Sequence, residues 1–172
     1  MRVLLIMALA AMPGLAMAAG GGSSTPTTAK CKGTQVYDKK TKKCVNAQES
    51  SLDADTLYGA VRELAYAGRY ADAQGVLTAM PDQQDDRVLT YWGFTHRKMG
   101  NGDLAREYYQ AALSRNPDNL LARSYMAQGM ISDGNMDGAI TQWREIMARG
   151  GKGTWAETSL SEAIRTGVTY NY

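Results

Sequence analysis

The residues with the chemistry for catalysis or ligation are few, and their spacing decides what they do. His96 is the only histidine in a chain of 172 residues. It sits inside a helical pattern, with no nucleophile elbow or metal-ligand spacing around it. A packed histidine with satisfied nitrogens is therefore its expected role. Cys31 and Cys44 are the only cysteines. Zinc would need further ligands that the chain does not offer nearby. A redox pair is normally spaced C-x-x-C. An even count at short separation points instead to a disulfide in an oxidising compartment. The run Gly150-Gly151-Lys152-Gly153 lacks the preceding strand and the spacing of a phosphate loop, and reads as a connector. Asp85-Asp86 reads as a helix start rather than an acid–base pair. No cofactor, no metal and no catalysis are expected.

Charge gives one further candidate. Lys30, Lys32, Lys39, Lys40, Lys42 and Lys43 cluster around the two cysteines against a single acid, Asp38. The chain carries a net charge of only +2, so the remainder is acidic on balance and a nucleic-acid partner is not implied. The basic segment reads as a solvated turn or as a contact for an anionic surface, lipid headgroup or cell-wall polymer.

The elements around these residues fall into five stretches. Residues 1–18 have the form of a secretory signal peptide: Arg2, an apolar run from Val3 to Ala11, and Ala16-Met17-Ala18 as cleavage signal. This predicts a soluble protein exported from a bacterial cytoplasm, to the periplasm where the cell has two membranes. No cysteine follows the cut closely enough for a lipid anchor. Residues 19–29 are rich in Gly, Ser and Thr and are expected to form a flexible linker. Residues 30–46 predict a stapled hairpin, with one strand over Thr34–Tyr37, a turn at Asp38-Lys39-Lys40 and a return over Lys42–Val45. Residues 52–168 carry helical periodicity, and 169–172 form a tail. The predicted helices lie near 52–67, 70–80, 86–99, 102–115, 119–132 and 136–149, with a seventh from Trp155 to about Arg165. Asn101, Asn119 and Asn135 are placed as N-caps, and Thr154 with Glu157 as a capping box.

A repeat runs through the helical part. Gly68, Gly100 and Gly134 each close one helix, and an alanine (Ala73, Ala105 or Ala139) follows five residues later. Glycine supplies the positive φ of a helix end, and alanine lets the next helix pack closely. In the middle unit Trp92-Gly93 is followed by Ala105, Tyr109, Ala112 and Pro117. This unit resembles the tetratricopeptide repeat, which has an apolar residue and Gly at the helix crossing. Ala, an aromatic and Ala follow on the second helix, with Pro before the next unit. His96 stands where that family usually has Tyr. The flanking units match in kind through Ala73 and through Ala139 and Trp143, and read as caps. The resemblance implies an all-α, right-handed superhelical array of about three hairpins. A C-terminal capping helix closes it and the small disulfide-stapled hairpin precedes it.

In that family the first helices of the hairpins line a concave groove for a peptide or protein. The positions that correspond here are Tyr58, Arg62 and Tyr66, then Thr90, Tyr91, Phe94, Arg97 and Lys98, then Tyr125 and Gln128. Aromatic and Arg residues on one face suit an extended peptide or a partner helix. Some members clamp a C-terminal carboxylate with Lys and Asn. Tyr58, Arg62, Tyr91, Leu121 and Tyr125 occupy those places here, so that specificity is not implied. The expected function is an exported adaptor or scaffold for a protein or peptide of the cell envelope. The rival reading is a surface tether that binds through the basic hairpin.

Overall fold

The computed structural model describes residues 27–169. The predicted leader, and all of the linker before Thr27, lie outside the described residues. The described residues open with a 3-10 turn at Thr28–Lys30 and a two-stranded hairpin, β1 (Gln35–Asp38) and β2 (Lys43–Asn46). Seven helices follow among the described residues: α1 (Ala54–Tyr66), α2 (Tyr70–Leu77), α3 (Asp86–Lys98), α4 (Gly102–Arg115), α5 (Leu120–Ser132), α6 (Met136–Ala148) and α7 (Trp155–Thr166). They pair as three helical hairpins, α1–α2, α3–α4 and α5–α6, and α7 packs on α5 and α6. The first helices of successive pairs also touch, α1 against α3 and α3 against α5.

The glycine periodicity has a specific origin. Gly68, Gly100 and Gly134 take φ of +75°, +86° and +78°. In each case the next residue's N–H reaches back to a carbonyl five residues earlier: Arg69 to Leu64 at 2.9 Å, Asn101 to His96 at 2.9 Å, and Asn135 to Met130 at 2.8 Å. This is the hydrogen bond of a left-handed helix stop, which settles carbonyls the helix end would leave bare. Gly150 repeats it at the end of α6, where Gly151 N–H meets the Ile146 carbonyl at 2.9 Å. The alanines that follow are fully packed: Ala73, Ala105 and Ala139 are at most 1% exposed.

Starts are less uniform. Asn119 and Asn135 cap as expected, accepting from Ala122 N–H at 2.8 Å and Gly138 N–H at 2.9 Å. Asn101 makes no cap bond; its amide lies 3.5 Å from His96 Nδ1 instead. The capping box at α7 is only half closed. Thr154 Oγ1 accepts from Glu157 N–H at 3.3 Å, while the Glu157 carboxylate accepts from Trp143 Nε1 at 3.0 Å. That acid therefore ties the capping helix to α6. Helix α2 stops at Leu77, short of the expected Met80, and the chain continues in tight turns. Pro81 disfavours helical backbone at Met80, which keeps the helix from reaching the expected end.

The stapled hairpin is built into the stack. The Cys31–Cys44 disulfide closes it, with Cα atoms 5.7 Å apart. The Asp38 carboxylate accepts from Lys40 N–H at 2.8 Å and Thr41 Oγ1 at 2.7 Å, shaping the turn. These bonds, led by Thr41, hold the Asp38 carboxyl below its usual range. Val36 is fully buried and, with Ala47, belongs to the same apolar core as α1 to α5. A side-chain carbon on Gly75 of α2 would lie 2.2 Å from Thr34 Cγ2, so only glycine permits this approach. Thr28 is buried and its hydroxyl accepts from Tyr37 N–H at 3.0 Å. Thr28, in the stretch expected to be linker, thus packs against the stapled hairpin.

Arg69 is the bolt between hairpin and helices. It donates to the carbonyls of Ala29 (3.1 Å), Cys31 (2.7 Å) and Gly33 (2.9 Å), and pairs with Asp72 at 2.6 Å. Arg69→Ala is expected to cost about 2 kcal/mol, since charge-assisted bonds to backbone outweigh an exposed ion pair. Chemical denaturation followed by circular dichroism reads it. A change below about 0.5 kcal/mol would mean that Arg69 does not hold the hairpin.

Candidate functional site

The expected groove face divides sharply by burial. Tyr91, Phe94, Tyr125 and Gln128 are fully buried, and Thr90 is 1% exposed. These five pack between helices and present no open surface to a ligand. The repeat position fixes the side of the helix they leave from, but large rings from α1, α3 and α5 meet and fill the space. Phe94 lies 4.7 Å from the Tyr125 ring centroid, and Tyr91 meets Tyr58 edge-on at 5.5 Å. Trp155 of α7 abuts Tyr125 edge-on at 5.7 Å, so the aromatic spine runs into the capping helix. Burial drives the Tyr91 and Tyr125 phenols well above their usual range, so both stay protonated. Their hydroxyls converge on that of Tyr66, which bonds to Tyr91 and lies 3.2 Å from Tyr125.

The half-buried members form the surface over this spine. Tyr58, Arg62 and Tyr66 come from successive turns of α1. The Arg62 guanidinium carbon sits 6.0 Å from the Tyr58 ring centroid and 5.8 Å from that of Tyr66. Arg87 of α3 covers Tyr58 at 4.9 Å and is held in place by Asp85 and Asp55, both at 3.0 Å. Arg62 has no acidic partner among the described residues, and its Nε is buried without a hydrogen bond. The arrangement is a tyrosine–guanidinium layer over a packed aromatic base. Cations over ring faces are attracted by the ring quadrupole, and Tyr and Arg are the residues that dominate interface energetics. Arg87 was not among the expected groove residues. It lies three and four residues before Thr90 and Tyr91, so extending that stripe back one turn would have included it.

Arg97 and Lys98 lie at the other end of α3, beside a separate cavity of about 330 Å³ between α3, α4 and α5. Tyr109 lies in its wall, 1% exposed, with its hydroxyl unpaired.

The remaining signature residues pack the hairpins. Gly93 lies under the Tyr109 ring, and Ala112 is fully buried. Trp92 stacks on His96 at 5.8 Å and on Tyr108 at 5.8 Å, and His96 stacks on Tyr108 at 5.4 Å. Partial burial lowers the His96 pKa, which favours the neutral ring. The Pro117 carbonyl accepts both Nε and Nη2 of Arg123, at 3.2 and 2.9 Å. No group of acids, cysteines and histidines suited to a metal ion occurs among the described residues. No helix there is long and apolar enough to cross a membrane.

Three helical hairpins stacked through their first helices, closed by a capping helix at one end and a stapled hairpin at the other, define a helical-repeat protein. The tetratricopeptide repeat model matches residues 86–119, which run from the start of α3 to the N-cap of α5. Residues 86–119 therefore form a tetratricopeptide repeat, a fold that suggests a platform for protein–protein interaction. No curated protein and no solved structure matches the chain.

Proposed function

We propose that this is an exported adaptor or scaffold that holds a protein or peptide on the shared face of α1, α3 and α5, without catalysis. The observation that carries the reading is the Tyr58–Arg62–Tyr66–Arg87 layer, which combines hot-spot residue types on a rigid, pre-packed base. Export and an oxidising compartment, the periplasm of a two-membrane cell, rest on the leader pattern of residues 1–18 and agree with the Cys31–Cys44 disulfide.

A second reading has its own observation. All six lysines of the basic segment are exposed, and none forms an ion pair among the described residues. In that reading the hairpin holds the protein to an anionic envelope surface.

One experiment separates the two. A photo-crosslinking residue at position 58, with a control at exposed Glu107 on α4, is expressed in the native cell. Position 58 is expected to give protein cross-links and position 107 none. A variant with the six lysines changed to Gln is expected to keep those cross-links and the same fractionation. Loss of localisation in that variant, with no cross-links from position 58, would establish the tether reading instead. Deleting the hairpin would not serve, because Val36 and Ala47 belong to the stack's core.

A further inference from the structure

The cavity beside Arg97 holds charge that the fold does not neutralise. Its wall is formed by Arg97 and Lys98 from the end of α3, by Tyr109 of α4 and by Met126 and Met130 of α5. Arg97 makes no ion pair among the described residues, and its Nε and Nη2 are shut off from water with no hydrogen-bond partner. Lys98 stands beside it, also without an acidic partner. Burial first, and the neighbouring Arg97 charge second, push the Lys98 ammonium down to about 8. Both cations rest on the Phe94 ring, at 5.9 and 5.8 Å from its centroid. The Tyr109 hydroxyl is a further unused donor; its phenol is raised to about 12 by burial, with Arg97 opposing the rise.

The acid that lines the cavity does not answer this charge. Asp133 pairs with Arg106 at 3.5 Å, and Arg106 is also held by Asp103 at 3.0 Å. The α3 dipole explains why cations are placed at that helix end. Solvated cations would satisfy it equally well. It does not explain two adjacent cations partly withdrawn from water, which burial penalises unless an anion compensates.

We propose that this cavity seats a carboxylate carried by an acidic segment of the bound partner, beside Arg97 and Lys98. Glu fits better than Asp: Met126 and Met130 give an adaptable apolar wall for its methylene stem, while the carboxylate meets the cations. The site lies at the opposite end of α3 from Arg87, so one extended partner strand spans both along the helix. This assignment rests on the binding-face reading and specifies the chemistry of its ligand.

The test titrates the purified full chain with capped hexaglutamate and with capped hexaglutamine. Side-chain 15N–1H NMR signals of arginine and fluorescence anisotropy of labelled peptide serve as readouts. Hexaglutamate is expected to shift the Arg97 Nε–H signal, and hexaglutamine to leave it unchanged. Lys98→Gln is expected to weaken hexaglutamate at least tenfold, and Lys98→Arg to retain most of the binding. Lys98 is half-buried and outside the core, so the folded state of these variants is checked by an unchanged melting curve or one shifted upwards. Equal affinity of Lys98→Gln, an unmoved Arg97 signal, or displacement by inorganic phosphate in place of the peptide would overturn the proposal. Cross-links from position 58 that persist in Lys98→Gln, with hexaglutamate affinity unaltered, would remove the carboxylate seat alone. Absent cross-links with a responsive Arg97 would remove the broader face and leave the seat.

Discussion

Gly93→Val is expected to lower the unfolding free energy by about 3 kcal/mol, and Gly93→Ala by about 1–2 kcal/mol. A side-chain carbon at this position would lie 2.7 Å from two carbons of the Tyr109 ring and 3.0 Å from a third. The ring cannot step aside cheaply. It is 1% exposed, and it lies between Ala105 and Ala112 on α4, both fully packed. The alanine variant would gain up to about 1 kcal/mol of helix propensity over glycine, so a net loss measures the close approach of α3 and α4 rather than any local preference. Urea denaturation followed by circular dichroism gives the number. The decisive control is the pair Gly93→Ala with Tyr109→Leu. If the two side chains compete for one space, the double variant costs at least about 1 kcal/mol less than the sum of the singles. Strict additivity, or a neutral Gly93→Ala, would show that the helix crossing does not depend on this contact.

The crossing was legible in the sequence because it is written in short-range signals: Trp92-Gly93, an alanine twelve residues on, and the aromatic four beyond that. The helix stops were legible for the same reason. A glycine with positive φ and its backward hydrogen bond involve six consecutive residues, so Gly68, Gly100 and Gly134 announce themselves. The binding face was only half legible. Repeat position places Tyr58, Tyr91, Phe94 and Tyr125 on one side of their helices but says nothing of depth, and depth depends on which rings meet across helices. Here the rings of α3 and α5 meet each other and vanish into the core, while those of α1 stay at the surface. Asn101 shows the same limit at a helix start: its type suits a cap, yet its amide turns toward His96. The docking of the stapled hairpin was not legible at all. It depends on Arg69 reaching three carbonyls 36 to 40 residues earlier, and on Gly75 making room for Thr34. The local pair of Arg69 with Asp72 gives no hint of those carbonyls, and Gly75 has no local reason to be glycine.

That docking makes the disulfide matter beyond its own loop. Replacing Cys31 and Cys44 together by serine is expected to cost about 3 kcal/mol, the chain-entropy value for a loop of this size. The bond joins residues 13 apart. An independent arm would lose its own structure and leave the helices untouched. Here Val36 is fully buried, Ala47 is 3% exposed, and both pack in the core that contains Leu57, Val61, Leu64 and Val76. A loosened hairpin uncovers that end of the stack, which then has an apolar face without its closing element. The helical signal itself should therefore melt earlier, by roughly 10 °C for a domain of this size, and adding reductant to the native protein should do the same. The coupling can be read directly. Once the hairpin is loosened, Arg69 has less to hold, so Arg69→Ala should cost clearly less in the serine background than in the disulfide-bonded protein. A helical melting curve indifferent to reduction would return the hairpin to the status of an arm, and the lysines on it to that of a free tether.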